Sequence, residues 1–179
     1  VVDAPHAVVG QPEVQLGLLP GAGGIVRMVA LIGLEKALPL LLEGTQLCPK
    51  DALKAGLVTE VVATTEELVP AAKAWIKAHP QAHAQPWDQK GFQYPGGGAT
   101  SPNIRQIATM APVMLVNKTR GLMPAPAKIL DIAVNSMRMG FDAALRVESR
   151  GLAALLPTKE AKAAITTFFF GMQAVKAGK

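Results

Sequence analysis

Among the charged residues of this sequence, Glu13 has the surroundings that best suit acid–base chemistry. It follows Pro12 and stands in an apolar run with Val14 and Leu16. A carboxylate partly withdrawn from water gives up and takes up protons more readily at neutral pH, because desolvation disfavours its charged form. The same pattern also fits a glutamate without a catalytic role that stands at the end of a strand and faces water. The residues alone leave both interpretations of Glu13 open.

A glycine segment follows shortly after and precedes an apolar helical pattern. Its residues are Pro20, Gly21, Ala22, Gly23 and Gly24. Backbone N–H groups at a helix N-terminus converge and, together with the helix dipole, favour an anion. The segment matches neither the dinucleotide fingerprint G-x-G-x-x-G nor the P-loop, which needs a Lys followed by Ser or Thr. A tight structural turn and a nucleotide-phosphate site both remain open.

Other ionisable residues give weaker indications of a site. The histidines are His6, His79 and His83, and Pro80 separates the last two. No cysteine or carboxylate cluster accompanies them, so no metal site is predicted. We predict that Arg27 is a helix-surface residue or belongs to a structural ion pair.

Two acidic residues, Asp131 and Glu148, stand on amphipathic helical patterns. Both are expected to be solvated or paired with neighbouring Lys and Arg. A basic path that could receive phosphate groups is an open alternative, and its candidates are Lys118, Arg120, Lys128 and Arg138.

Composition limits the class of protein. Of 179 residues, 50% are hydrophobic and 17% charged, which predicts a packed core and suits one domain or part of a larger one. The net charge of +5 suits a phosphorylated ligand such as coenzyme A. Nucleic-acid binding is disfavoured, because the basic residues are scattered and only 4% of the residues are aromatic to stack on bases. The single Cys48 excludes an internal disulfide and fits a reducing compartment.

The apolar runs are too short for a membrane span, which takes about 20 residues. The runs 152–156 and 168–172 are instead predicted to be buried helix faces. The first residues lack the order of a signal peptide and resemble the inside of a strand. We therefore expect a preceding part of the protein.

Glycines and prolines divide the chain into elements. Residues 7–19 are predicted to be extended, and helices are predicted at 25–32, 34–42 and from Pro49. A β-prone segment at 57–62 precedes a helix that Thr64 and Glu67 cap with a capping box. Residues 1–78 thus form an α/β portion, 79–102 a Pro/Gly-rich loop, and 103–179 a helical tail.

Within that tail, Pro112 is expected to kink or divide the first helix, and residues 123–126 to form a stiff connector. Further helices are predicted at 127–139, 141–156 and 158–176, the last capped by Thr158.

The run from Gly10, Gln11, Pro12 and Glu13 to Gly24 closely resembles the C-terminal active-site motif of enoyl-CoA hydratases and isomerases, the crotonase superfamily. The similarity continues through Arg27 and segments 32–33, 41–44, 52–58 and 61–62. Segments 124–126, 141–148 and 158–163 resemble the multifunctional fatty-acid β-oxidation α-subunit. In that family a hydratase/isomerase domain precedes an NAD-dependent 3-hydroxyacyl-CoA dehydrogenase domain.

The resemblance implies a fold and a set of site residues. The fold is α/β, the C-terminal half of a crotonase-like (ClpP/crotonase) fold, with a few strands followed by a mainly helical tail. Glu13 takes the place of the family's second catalytic glutamate, which moves protons at Cα of the enoyl thioester. The N–H of Gly21 lies where the family helps to hold the reacting water. Ala22 and Gly23 let the backbone come close to the acyl group.

The resemblance also implies which catalytic groups, cofactors and partners lie outside this chain. The first catalytic glutamate and both oxyanion-hole N–H groups are expected before Val1, so the chain alone is expected to be inactive. It needs no cofactor of its own: coenzyme A belongs to the substrate, and NAD serves only the dehydrogenase domain, which is expected beyond Lys179. The expected partners are the rest of the polypeptide and other β-oxidation subunits, without nucleic acid. The implied location is the bacterial cytoplasm, or a mitochondrial or peroxisomal matrix in a eukaryote.

The C-terminal helix departs from the family's pattern. Phe168 falls on the family's aromatic position, but Gly171 stands where a lysine would meet the coenzyme A phosphates. Phe168, Phe169 and Phe170 are therefore predicted to be packing residues. The alternative function for the chain is a non-catalytic module for oligomerisation or docking within the same complex.

Overall fold

The computed structural model describes residues 1–178, and most of these are helical. The helices are α1 (Gly24–Ile32), α2 (Leu34–Glu43), α3 (Pro49–Ala55), α4 (Thr65–Ala78), α5 (Pro102–Thr119), α6 (Pro124–Ser136), α7 (Phe141–Leu155), α8 (Lys159–Ala164) and α9 (Met172–Lys176). A π-helical segment, Ile165–Gly171, joins α8 to α9. No described helix is long and apolar enough to cross a membrane.

The sheet has two short antiparallel strands, β1 (Val9–Gly10) and β2 (Gln46–Leu47). A single parallel bridge also joins Val2 to Val62. Gly10 permits the close pairing, since a β-carbon there would lie 2.7 Å from the carbonyl oxygen of Thr45. The expectation of few strands followed by a mainly helical tail is confirmed.

The prediction that residues 7–19 are extended is wrong at Pro12–Leu16. Residues Pro12–Leu16 form a 3-10 helix, with Pro12 in its first turn. Gly17 ends this helix in the left-handed conformation, with φ of 70°, and its N–H donates to the carbonyl oxygen of Val14 at 3.0 Å. Short apolar runs do not distinguish a strand from a helical turn, because both can bury such a face.

Several other bounds follow the glycines, prolines and caps of the sequence, and others do not. The capping box of Thr64 with Glu67 is confirmed, and so is the cap at Thr158, which accepts from the Ala161 N–H at 3.2 Å. Pro112 does not divide α5, which continues to Thr119. The connector predicted at 123–126 is instead the first turn of α6, where proline is tolerated because the N–H groups there need no intrahelical acceptor.

One hydrophobic core holds helices from both ends of the chain. Ile25 and Val29 of α1, Leu34 and Leu41 of α2, and Ile129 of α6 are all fully buried in it. Helix α6 contacts α1, α2 and α7. The helical tail therefore packs directly on the glycine segment's own helix.

The loop at 79–102 is attached to this core by aromatic contacts. Trp87 stacks on Phe141, the first residue of α7, with ring centroids 5.0 Å apart and planes 5° from parallel. Pro95 lies close against Gly33 between α1 and α2.

The prediction that Phe168, Phe169 and Phe170 are packing residues is wrong, as is the prediction of a buried face at 168–172. These phenylalanines are 62%, 47% and 60% exposed. They lie on the π-helical segment, where Phe169 and Phe170 contact each other edge to face. Within the described part of the chain, these phenylalanine rings therefore form an apolar surface that is exposed to solvent.

Candidate active site

Glu13 is half-buried on the 3-10 helix that follows β1. Its Oε2 atom is fully buried, and no group within residues 1–178 donates a hydrogen bond to it. The same holds for Oε1 of Gln11. Buried oxygen atoms without a donor are uncommon in folded proteins, because each loses its hydration. These two acceptors are therefore suited to a proton-bearing group that enters the site.

A cleft of about 600 Å³ contains Glu13 and the glycine segment together. Its lining residues are Gln11, Glu13, Leu18, Leu19, Pro20, Gly21, Ala22, Gly23, Gly24, Arg27, Leu152 and Leu156. The structure thus brings together the four site residues predicted from the sequence: Glu13, Gly21, Ala22 and Gly23. Most of the other lining is apolar.

The glycines in this cleft are needed where other atoms come close. Gly23 has φ of 89°, a conformation that residues with a β-carbon rarely adopt. A β-carbon on Gly23 would overlap the guanidinium group of Arg27, and one on Gly24 would overlap the side-chain amide of Gln11. The turn is therefore built around its neighbours' side chains.

Glu148 of α7 closes the N-terminus of α1, which the sequence did not predict. Its side chain is fully buried, and its carboxylate accepts hydrogen bonds from the N–H of Gly23 and from the N–H of Val26 at 3.0 Å. No described Lys, Arg or His forms an ion pair with it. The expectation that Glu148 is solvated or paired with a basic residue is wrong, because helix N–H groups take the role of the cation.

Burial raises the pKa of the Glu148 carboxyl group above its ordinary value. The hydrogen bonds from the backbone of Val26 and Gly23 act in the opposite direction, and burial outweighs them.

The hydrogen bonds of Glu148 also bear on whether the glycine segment binds a phosphate. The N–H groups of Gly23 and Val26 already donate to Glu148. An incoming phosphate would have to displace a buried carboxylate to use them. The geometry therefore favours a structural turn over a nucleotide-phosphate site.

Arg27 lies on the exposed surface of α1, as one of its two interpretations predicted. Its guanidinium donates to the carbonyl oxygen of Ala22 at 2.8 Å and lies 5.9 Å from the ring centre of Phe141. Within residues 1–178 it forms no ion pair. Arg27 thus supports the turn at the cleft.

The basic residues proposed for a phosphate path do not reach the cleft. Lys118 forms an exposed ion pair with Glu43 at 2.6 Å. Arg120, Lys128 and Arg138 are also not part of the cleft's lining. Asp131 is exposed, as expected, and accepts a hydrogen bond from Asn135 at 2.7 Å. The basic-path alternative has no support from this geometry.

Metal ligands do not cluster in the part of the chain that the structure describes. No group of three or more His, Cys, Asp or Glu side chains there could hold an ion.

The functional neighbours missed from the sequence all lie on α7. Besides Glu148, they are Ser149, whose hydroxyl group donates to the carbonyl oxygen of Gly21 at 3.4 Å, and Leu152, which contacts the Gly21 α-carbon. A signal for Glu148 was present: Ala144 and Leu152 stand one helical turn before and after it and mark an inward face. A carboxylate on such a face needs a partner in the interior.

Comparison with known proteins gives a consistent result. A sequence model of the family described as "Enoyl-CoA hydratase/isomerase" matches residues 1–88. The "Fatty acid oxidation complex subunit alpha" of Shewanella sp. (strain ANA-3) is 39% identical over 168 residues, which are 93% of this chain and 23% of that protein. The protein of the same name from Shewanella frigidimarina (strain NCIMB 400) is 38% identical over 174 residues, 97% of this chain and 24% of that protein.

The chain thus spans about a quarter of the length of the curated relatives it matches. A crystal structure of an enoyl-CoA hydratase from Geobacillus kaustophilus HTA426 is 22% identical and covers 95% of this chain and 49% of that chain, with a TM-score of 0.40.

Proposed function

Since residues 1–88 match the sequence model of the enoyl-CoA hydratase/isomerase family, we propose that the chain supplies one catalytic carboxylate and the glycine turn of an enoyl-CoA hydratase/Δ3-Δ2-enoyl-CoA isomerase domain. Its fold is accordingly the C-terminal part of a crotonase-like α/β fold. The proposed substrates are trans-2-enoyl-CoA thioesters of fatty-acid β-oxidation. One observation carries the proposal: Glu13, whose buried Oε2 receives no hydrogen bond from residues 1–178, shares a cleft with Gly21–Gly23.

In the proposed hydration, water adds across the C2=C3 bond of the thioester. The hydroxyl group bonds to Cβ, the proton that the water releases passes to the first catalytic glutamate expected from the family, and Glu13 delivers a proton to Cα. Positioned proton transfer of this kind typically contributes about 10²- to 10⁴-fold to a rate. The N–H of Gly21 orients the water. In the isomerisation, Glu13 takes a proton from one carbon and returns it at the other, between Cα and Cγ.

The rest of the proposed site lies outside this chain. By its resemblance to the family, the first catalytic glutamate and the two oxyanion-hole donors precede Val1. Each such donor contributes about 2.7 to 4 kcal/mol to transition-state stabilisation. The 179-residue chain alone is therefore proposed to be inactive. It needs no cofactor for this chemistry.

The proposed parent is a multifunctional α-subunit that also carries an NAD-dependent 3-hydroxyacyl-CoA dehydrogenase domain. The support is that the relatives are named as α-subunits of a fatty acid oxidation complex and are about four times as long as the match. We place the parent in the cytoplasm of a bacterium, associated with other β-oxidation subunits.

The proposal is tested by hydration of crotonyl-CoA with the complete gene product that contains this sequence. Glu13→Gln keeps the shape of the side chain and removes its proton exchange, so turnover should fall by roughly 10²- to 10⁴-fold. Glu66→Gln, at an exposed position of α4, is the matched control and should leave turnover unchanged. A Glu13→Gln protein with the wild-type rate would contradict the proposed role.

A second candidate function is assembly without catalysis. It is favoured by the exposed side chains of Phe168, Phe169 and Phe170, since an apolar surface of this kind is typical of an interface. The relatives are named as subunits of a complex, and the proposed occupant of this surface is another subunit of that complex. No hydration by the complete gene product, together with loss of association in Phe168→Ser, would favour this function over the first.

A further inference from the structure

Helix α7 holds the glycine turn through three side chains that stand on one side of the helix. Glu148 accepts from the N–H groups of Gly23 and Val26, and Ser149 donates to the carbonyl oxygen of Gly21. Leu152 lies against the α-carbon of Gly21. The turn is thereby bound at both of its ends by one rigid element.

The glycine turn itself contains no side chain that could cap α1. Gly23 precedes α1 and has no side chain to accept a hydrogen bond from the helix N–H groups. The first N–H groups of any helix lack acceptors within the helix, and glycine-rich backbone has the greatest freedom to move. Glu148 thus supplies the acceptor that α1 lacks and restrains the turn in addition to Arg27.

We propose that Glu148 is a positioning residue of the enoyl-CoA site: it fixes the glycine turn so that the N–H of Gly21 and the carboxylate of Glu13 face the same reacting group. The inference rests on the proposed function of Glu13. Glu148 itself lies in the protein interior at 0% exposure and is not part of the cleft's lining, so it acts only through the backbone of the turn.

Two substitutions of Glu148 test separately the effect of the carboxylate's position and the effect of its charge. Glu148→Gln keeps the length of the side chain but turns an NH₂ group toward one of the two N–H donors, which then loses its acceptor. Glu148→Asp keeps the charge near the helix N-terminus but withdraws the oxygens by one methylene. Asp142→Asn is the matched control, because it removes an exposed carboxylate from the same helix.

The variants are compared as complete gene product at a temperature well below their unfolding midpoints. Both Glu148 variants should lower kcat for crotonyl-CoA hydration by roughly 10- to 100-fold, as misplacement of a catalytic group by about 1 Å does. KM should stay unchanged, because the turn's displacement affects the transition state more than substrate binding. Asp142→Asn should keep the wild-type kcat. A folded Glu148→Gln or Glu148→Asp protein with the wild-type kcat would overturn the proposal.

A purely structural role would instead lower the unfolding midpoint and leave kcat unchanged for the folded fraction. That outcome also counts against positioning.

Amide hydrogen exchange tests the contact independently of activity. In the wild type, the Gly23 and Val26 amides should be protected as well as the central amides of α1, and rapid exchange at both would overturn the proposal even if no Glu148 variant folds. In Glu148→Gln, protection should be lost selectively at one of these two positions, the one whose N–H faces the NH₂ group. An inactive wild type would refute the proposed function and the positioning role with it, whereas protected Gly23 and Val26 amides would still show that Glu148 holds the turn.

Discussion

The side chain of Leu152 lies so close to the α-carbon of Gly21 that a β-carbon on Gly21 would overlap it. A β-carbon on residue 21 would lie 2.7 Å from the Cβ atom of Leu152. The Leu152 Cβ atom cannot move aside unless the backbone of α7 moves with it. The turn and the helix therefore fit each other only because residue 21 has no side chain.

Gly21→Ala should consequently destabilise the chain by about 1 to 3 kcal/mol, the usual cost of overpacking. The double variant Gly21→Ala with Leu152→Ala should be less destabilised than the sum of the single variants, because the smaller side chain makes room. Urea unfolding of all four proteins measures this coupling. Additive effects would show that the two residues do not constrain each other.

The stability of the chain should depend on pH through Glu148. Burial raises the pKa of this carboxyl group in the folded protein above the ordinary value of 4.5. The folded state then binds the proton more tightly than the unfolded state, so this contribution to stability is fully present below pH 4.5 and is lost as the pH rises through the folded-state pKa.

The measurement is the free energy of unfolding of the wild type and Glu148→Gln across that pH range. The free energy of unfolding of the wild type minus that of the variant should decrease as the pH rises. The contributions of the other titrating groups cancel, because both proteins contain them. A difference that grows with pH would show that the backbone hydrogen bonds outweigh burial.

Breaking the ion pair of Lys118 with Glu43 should have little effect on the chain. Both side chains are more than half exposed, and such surface pairs contribute less than about 1 kcal/mol. Lys118→Ala should therefore change the free energy of unfolding by less than this, and the change should vanish at high salt. The KM for crotonyl-CoA should be unchanged in the complete gene product, since Lys118 is not part of the cleft. A raised KM would revive the idea of a basic path.

Phe168→Ser and Phe170→Ser should leave the folding stability of the chain within about 0.5 kcal/mol of the wild type, because both rings are exposed. Ile129→Ala is the contrasting control: its side chain is fully buried, and its loss should cost about 2 to 5 kcal/mol. Thermal or urea unfolding distinguishes the two classes. Large destabilisation by Phe168→Ser would mean that the ring packs against the chain in solution.

The sequence predicted the helices best where a glycine or a capping side chain marks their ends, as at Gly33, Gly44 and Thr158. It also grouped Glu13 with Gly21, and both line one cleft because they stand in one short segment that folds back on itself. It could not decide between strand and 3-10 helix at Pro12–Leu16, because a short apolar run is compatible with either.

The partner of Glu148 was beyond prediction for a different reason. Glu148 lies 125 residues from Gly23 along the chain, and no local pattern shows which distant N–H groups a buried carboxylate will meet. The prediction for Phe168 failed for another reason. An aromatic residue on a helix predicts a buried side chain, but the sequence does not indicate whether this chain or another molecule covers it.

The distance between Gly23 and Glu148 has a consequence for synthesis on the ribosome. The chain emerges from its N-terminus, so Gly23 and the start of α1 leave the exit tunnel long before the carboxylate that closes them. Until Glu148 has been translated and α7 has docked, this part of the glycine turn has no acceptor. A nascent chain halted in the loop at 79–102 would therefore carry Glu13 and every glycine of the cleft, and still lack the group that sets their arrangement.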